Sequence, residues 1–296
     1  MVRPLYLQPG DKVALLSPSG YTTDKQLEQA KRLLEAWQLV PVVAPHAQAR
    51  NGQLAGTEQE RLSDFQQALD DEEVQAIWCS NGQYGALQIV EQADYSTFQG
   101  NPKWLIGMDD ITVLHAKLHA LGIESLHACM PANLDTTLPE AVTQSRNFLF
   151  GIISSYAIPP HPLNREGFAR AELVGGMLTW IHSLHATRIE HNTRNTLLFI
   201  EEQGKTLYDM DRAIRCLKYG GKLQHLKGLI VGLPGEKAEP GFQEAMYRLI
   251  REAVEEYDYP VCFGFPAGHV AANYPLILGA EVELEIGPEN CELRFT

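Results

Sequence analysis

The sequence predicts an α/β protein, with an N-terminal doubly wound parallel sheet followed by a smaller C-terminal α/β domain. Three observations predict this class. Short apolar runs alternate with stretches of helical spacing, the pattern of a parallel sheet with helices on its faces. The runs close on turn-forming residues, as at Ser17-Pro18-Ser19-Gly20 and Ser80-Asn81-Gly82. Finally, 296 residues with 45% apolar and 21% charged side chains suffice for two domains of ordinary size.

Taken in order, Lys12 to Leu16 reads as the first strand. Thr23 with Gln26 forms a capping box ahead of Leu27, Ala30, Leu33, Leu34 and Trp37 at helical spacing. Leu39 to Ala44 is the next strand. Thr57 with Glu60 opens a second capped helix carrying Leu62, Phe65 and Leu69 on one face. Val74 to Cys79 and Trp104 to Gly107 follow as strands, and Ile111 to Leu121 is a helix leading to a strand at Ile123 to Leu126. Residues 1–135 are therefore expected to form the first domain. The proline-rich, less regular residues 136–170 read as a linker, and residues 171–296 as the second domain. In that domain Gly175-Gly176 is expected to open a helix. Thr196 to Ile200 and Leu226 to Gly232 read as strands, and Leu207 to Tyr219 and Phe242 to Tyr257 as helices. Val261 to Phe265, Pro275 to Leu278 and Val282 to Ile286 read as further strands.

Charge and cysteine usage exclude several functions. A net charge of -13 argues against nucleic acid and against anionic membrane surfaces, both of which would be repelled. Five cysteines are odd in number, far apart and without a C-x-x-C pair, which disfavours a disulfide framework and a zinc knuckle. Their apolar neighbours suggest buried thiols. The N-terminus has no apolar stretch of signal-peptide length and no later segment is long enough to span a bilayer, so a cytoplasmic location is the expectation.

Four places carry residues suited to chemistry. Ser80 to Gly85 is a glycine-containing loop after an apolar strand; it is either a turn requiring positive φ or a cradle of N–H groups for an anion. Gly107-Met108-Asp109-Asp110-Ile111-Thr112 sets two acids at a strand-to-helix junction, where one of them can cap the helix. Glu201-Glu202 end an apolar strand, either as a solvated edge or as a carboxylate that orients a histidine. His269 lies in the tight turn Phe265-Pro266-Ala267-Gly268-His269. Asp211-Arg212 reads as a surface ion pair. Neither Ser80 to Gly85 nor Gly232 to Lys237 matches a dinucleotide or P-loop pattern, and no cofactor is implied.

Together these places resemble the LD-carboxypeptidases, the serine-peptidase family that also contains the microcin-C immunity peptidases. The resemblance runs over nearly the whole chain: Leu7 to Ser19, Asn101 to Gly107 with Asp110 to Thr112, Leu173 to Gly176, Leu198 to Glu201, Tyr208 with Asp211-Arg212, and Gly268-His269. It implies a Ser, Glu, His triad at the meeting of two domains, with Glu201 and His269 on the family's glutamate and histidine. The family's serine lies in G-[YF]-S-D-x-T, where this chain has Asp109. The family's R-G-G-Y-G oxyanion loop reads Asn81-Gly82-Gln83-Tyr84-Gly85, and its G-G-N-L reads Gly175-Gly176-Met177-Leu178. Asn81, Gly82, Gln83, Tyr84 and Asp110 are then the implied oxyanion and substrate contacts.

A carboxylate at 109 has no proton to pass to His269 and would repel a developing oxyanion. The resemblance therefore implies a protein that binds a muropeptide-like peptide with a free C-terminal D-amino acid, without normal serine-peptidase turnover. Two alternatives stay open. Asp109 could activate water or attack as a carboxylate in a hydrolase of altered chemistry. Asp109, Glu201 and His269 could instead ligate a metal. A small peptide is the expected partner, and a homodimer is compatible with the sequence.

Overall fold

The computed structural model describes residues 1–235 and 239–296; Glu236 and Lys237 of the Gly232 to Lys237 run lie outside them. The chain divides into two compact units, Met1–Ile152 with Tyr274–Ile277, and Ile153–Asn273 with Leu278–Thr296.

In the first unit β1 (Lys12–Leu16), α1 (Asp24–Ala36), β2 (Val40–Val43), α2 (Glu58–Asp70) and β3 (Val74–Cys79) follow one another. Short helices α3 (Ala86–Ile89) and α4 (Ser96–Gly100) lead to β4 (Trp104–Gly107), α5 (Thr112–Ala120), β5 (Ser125–His127) and α6 (Pro139–Leu149). Both expected capping boxes form: Thr23 accepts from the Gln26 N–H and Thr57 from the Glu60 N–H, and each N3 side chain returns a bond to its cap. Pairing of β1 with β2 and β3, β3 with β4 and β4 with β5 is parallel. The order β5-β4-β3-β1-β2 reverses direction between β1 and β3. Crevices at such a switch point, beyond the carboxyl ends of the strands, are where these sheets bind ligands. The doubly wound expectation holds.

Helix α2 ends on an unusual support. Lys103 is buried, and its ammonium donates to the carbonyls of Ala68 at 2.8 Å, Leu69 at 3.0 Å and Asp71. A cation at these orphan carbonyls completes the helix C-terminus and meets the negative end of its dipole.

The second unit begins with β6 (Tyr156–Ile158) and β7 (Gly167–Met177), then α7 (Leu178–Ser183), β8 (Leu197–Glu201), α8 (Leu207–Tyr219), β9 (Gly228–Gly232), α9 (Phe242–Ala253) and β10 (Val261–Phe265). The short β11 (Leu276–Leu278) joins the six-stranded sheet of the first unit beside β5. The chain closes with β12 (Glu281–Ile286) and β13 (Cys291–Phe295). The seven-stranded sheet runs β10-β9-β8-β7-β12-β13-β6. It is parallel from β10 to β7 and antiparallel from β7 to β6. Val174, Leu198, Ile200, Leu229, Val231 and Phe263 on one face pack with Met210, Ile214, Leu217, Met246, Tyr247 and Ile250 from α8 and α9. Thr206 with Asp209 supplies a capping box for α8 that the sequence reading did not name.

Three expectations are corrected. Residues 136–170 are not an irregular linker, since they hold α6, β6 and the start of β7. Pro139 sits in the first turn of α6, where a missing N–H costs nothing and the fixed φ suits a helix. Gly175 and Gly176 lie within β7, which runs on to Met177, rather than open a helix. A Cβ on Gly175 would lie 1.9 Å from the Phe199 carbonyl oxygen, so the glycine reflects close approach of β7 to β8. Cys216 is exposed, while the other four cysteines are buried.

Candidate functional site

The first-unit residues gather around Asp109. It lies two residues beyond the end of β4, is 9% exposed and has φ of 59°. That left-handed conformation is uncommon for a residue other than glycine and clusters at functional turns. Oδ2 of Asp109 accepts the backbone N–H of Gln83 at 2.7 Å. Gln83 also has positive φ, 78°, which turns its N–H toward the end of β4. Gly82 permits this approach, since a Cβ there would lie 2.5 Å from Asp109 Oδ2 and 2.7 Å from Asp109 Cβ.

The loop is held from behind. Asn81 donates through Nδ2 to the Tyr21 carbonyl at 2.7 Å and accepts the Gly82 N–H at 2.9 Å. The Gly20 N–H donates to the Gly82 carbonyl at 2.8 Å, joining the loops after β1 and β3 across the switch point. Tyr84 is exposed. Asp110 does not cap its own helix. Its Oδ2 accepts from the Ser19 hydroxyl and, at 2.8 Å, from the N–H of Ala86, the first residue of α3. Nothing in the sequence joins Ser19 to a carboxylate 91 positions away.

Burial pushes the Asp110 carboxyl up to about 6, with a smaller push from Asp109. The Ser19 and Ala86 hydrogen bonds and the Arg61 cation oppose it. Arg61 is itself buried. It donates to the Gly56 carbonyl at 2.9 Å and to the Gln88 side chain, while its Nε makes no hydrogen bond among the described residues.

The second-unit residues gather around Glu201, the last residue of β8. Nδ1 of His269 donates to Glu201 Oε2 at 2.8 Å, with side-chain exposures of 7% and 0%. The turn carrying His269 is fixed by the Gly268 N–H, which donates to Asn273 Oδ1 at 2.9 Å. A carboxylate on Nδ1 leaves Nε2 as the imidazole's working nitrogen, the arrangement of a histidine base with its orienting acid. Of the two open readings of Glu201, the structure therefore favours the orienting carboxylate over the solvated edge.

Glu202, the next residue beyond β8, is buried too. Its carboxylate accepts from the Thr179 N–H at 2.8 Å, the Thr179 hydroxyl and the Gln203 N–H at 3.0 Å. Burial, with a contribution from Glu201, raises it to about 7 despite those bonds. A pocket of about 570 Å³ opens beside it, with Lys205, Leu207, Tyr208, Pro234 and Phe242 among its walls. Gly235 also lines it, and a Cβ there would lie 3.6 Å from His269 Cβ. The Asp211-Arg212 pair does not form. Asp211 bonds Arg215 at 2.8 Å and Arg212 bonds Asp209 at 2.6 Å, the partners one helical turn away.

Among the described residues no three His, Cys, Asp or Glu side chains are grouped to hold a metal ion. No described helix is long and apolar enough to cross a membrane.

Similarity to known proteins follows this geometry. Residues 13–128 match the LD-carboxypeptidase N-terminal domain and residues 170–284 the LD-carboxypeptidase C-terminal domain. The chain is 30% identical over 292 residues to a probable murein peptide carboxypeptidase of Bacillus subtilis, covering 95% of this chain and 91% of that one. It is 26% identical to the murein tetrapeptide carboxypeptidase of Pseudomonas aeruginosa, covering 94% of each. The fold superposes on an MccF-like protein of Bacillus anthracis with TM-score 0.90 at 20% identity, covering 100% of both chains. It matches a muramoyltetrapeptide carboxypeptidase of Oxalobacter formigenes with TM-score 0.87 at 19% identity, covering 96% and 98%. Both halves match in order, and the chain belongs to the LD-carboxypeptidase family.

Proposed function

We propose that this protein binds a short peptide with a free C-terminal D-amino acid, of the muropeptide kind, and does not turn it over by the serine mechanism. The observation that carries this reading is the Asp109 carboxylate, which takes the Gln83 N–H for itself. In an acyl-transfer site a backbone N–H of this kind would serve the developing oxyanion. Here a fixed negative charge already holds it. Asp109 offers neither a hydroxyl to attack with nor an empty place for the oxyanion.

Binding asks less of the site than catalysis does. The pocket beside Glu202 combines apolar and aromatic walls with the Lys205 ammonium, which suits a peptide ending in a carboxylate. Names of relatives such as murein tetrapeptide carboxypeptidase support the peptide class. A cytoplasmic setting fits a chain whose cysteines are all free.

A second reading keeps hydrolysis, with Asp109 as base or nucleophile. The positive φ of Asp109 favours it, because a strained strand-to-helix turn is how a nucleophile is presented in other hydrolases. Calorimetric titration with a tetrapeptide ending in D-alanine, followed by mass analysis of the mixture, separates the readings. Saturable heat with intact peptide is the expected result. Release of D-alanine at a rate that falls on Asp109→Asn replaces the first reading with the second. Absence of binding overturns both.

A further inference from the structure

We propose that Cys262 and Cys291 form a reversible oxidation site, closing a disulfide that ties β10 at one end of the seven-stranded sheet to β13 near the other. Their Sγ atoms lie 3.4 Å apart and both residues are buried. The strands that carry them are not neighbours: β10 is first in the sheet and β13 is sixth. The sheet therefore curls until its ends meet. Two further contacts mark the same seam. The Arg165 N–H donates to the Val261 carbonyl at 3.0 Å with the reciprocal bond at 3.2 Å, and the rings of Tyr156 in β6 and Phe265 in β10 are 5.6 Å apart.

Strand periodicity explains why the thiols face each other. Val261 and Phe263 belong to the core under α8 and α9, so Cys262 points to the other face, inside the curl. Cys291 opens β13 immediately after Pro288, Glu289 and Asn290, which are exposed. A small oxidant would have to reach Cys291 by local opening at this exposed turn, which leads directly into it. The thiols are also unequal. A hydrogen bond from Cys262 stabilises the Cys291 thiolate and holds Cys291 below the usual thiol range, whereas that same bond, with burial adding to it, pushes Cys262 up. In the oxidation the Cys291 thiolate attacks a small-molecule disulfide and releases one thiolate. The deprotonated Cys262 then attacks the mixed disulfide at the Cys291 sulfur and releases the second. Two protons and two electrons leave the protein, and the oxidant becomes two thiols.

The bond would fix β10, whose chain runs on through Phe265 into the turn bearing His269. The test uses the full chain with exposed Cys216 replaced, Cys216→Ser, leaving four thiols of the original five. The protein is incubated with oxidised glutathione, and in parallel refolded from urea in the same buffer. It is then denatured, alkylated and weighed. By either route, two of the four thiols should escape alkylation. One reductant-sensitive cross-linked peptide should carry Cys262 and Cys291, and the Tm should rise by several degrees. Adding Cys291→Ala should restore alkylation of every remaining thiol and abolish the Tm shift. Four reactive thiols by both routes, or a glutathione adduct without the cross-link, would overturn the proposal.

Discussion

The backbone N–H of Gln83 donates to Oδ2 of Asp109 at 2.7 Å, and Gly82 beside it leaves room for that carboxylate and little more. The loop after β3 and the junction after β4 are thus fitted to an acid at position 109. On the proposed reading, exchanging one side chain should not recreate a serine-peptidase site.

Asp109→Ser alone should therefore restore little. By the family resemblance read from the sequence, Gln83 would still stand in place of a glycine, and Asn81 and Met177 would also differ from the pattern that the resemblance implies. A gain of no more than about tenfold in kcat/KM, near 1.4 kcal/mol of transition-state stabilisation, is expected in a D-alanine release assay. A serine-directed phosphonate should leave the unmodified protein unlabelled at position 109, as seen by intact mass.

Gly82→Ala should destabilise the protein, because the new methyl would overlap Asp109 Oδ2 and Cβ. A loss of about 1–3 kcal/mol is typical of such overpacking, measured by urea denaturation. Asp109→Gly removes both clashing atoms and suits the positive φ at that position. In the double variant the cost of Gly82→Ala should shrink by more than half. Equal cost in both backgrounds would mean the two residues are not coupled.

Glu202 predicts a fall in stability on the alkaline side. Its carboxyl is raised from 4.5 to about 7, so the folded state binds a proton that the unfolded state has already released over that window. That contribution is fully present below pH 4.5 and is lost as pH rises through about 7. It is on the order of 3 kcal/mol, at about 1.4 kcal/mol per tenfold change. Glu202→Gln should flatten the dependence of Tm on pH between 5 and 8. An unchanged slope would show that Glu202 ionises freely in the folded protein.

Asp110 separates charge from hydrogen bonding. Asp110→Ala strands the Ala86 N–H and the Ser19 hydroxyl and should cost about 1–3 kcal/mol. Asp110→Asn keeps an acceptor without the buried charge. At pH 8, above the value of about 6 for Asp110, it should be much closer to wild type than Asp110→Ala. Urea midpoints at pH 8 compare the two directly.

Much was legible without coordinates. Both capping boxes, the strands Lys12–Leu16, Val74–Cys79 and Trp104–Gly107 and the helix Leu207–Tyr219 are local events, set by periodicity and by side chains three or four positions apart. The order of motifs identified the family, and with it Glu201 and His269 as candidate partners. Where the reading failed, the signal was local but misjudged. Pro139 begins a helix instead of marking irregular chain, and Gly175 lies in a strand instead of opening a helix.

The tertiary structure alone decided which groups meet. Asp110 caps α3 rather than its own helix, and His269 bonds a carboxylate 68 residues away. Ser19 enters the site from the first loop, and Cys262 reaches Cys291 across a curled sheet. Each contact joins residues distant in sequence, and its geometry follows from sheet order, strand register and the room left by a glycine. The residue types for the site were written in the chain, but a carboxylate's partner depends on which donor the fold brings within about 3 Å of it.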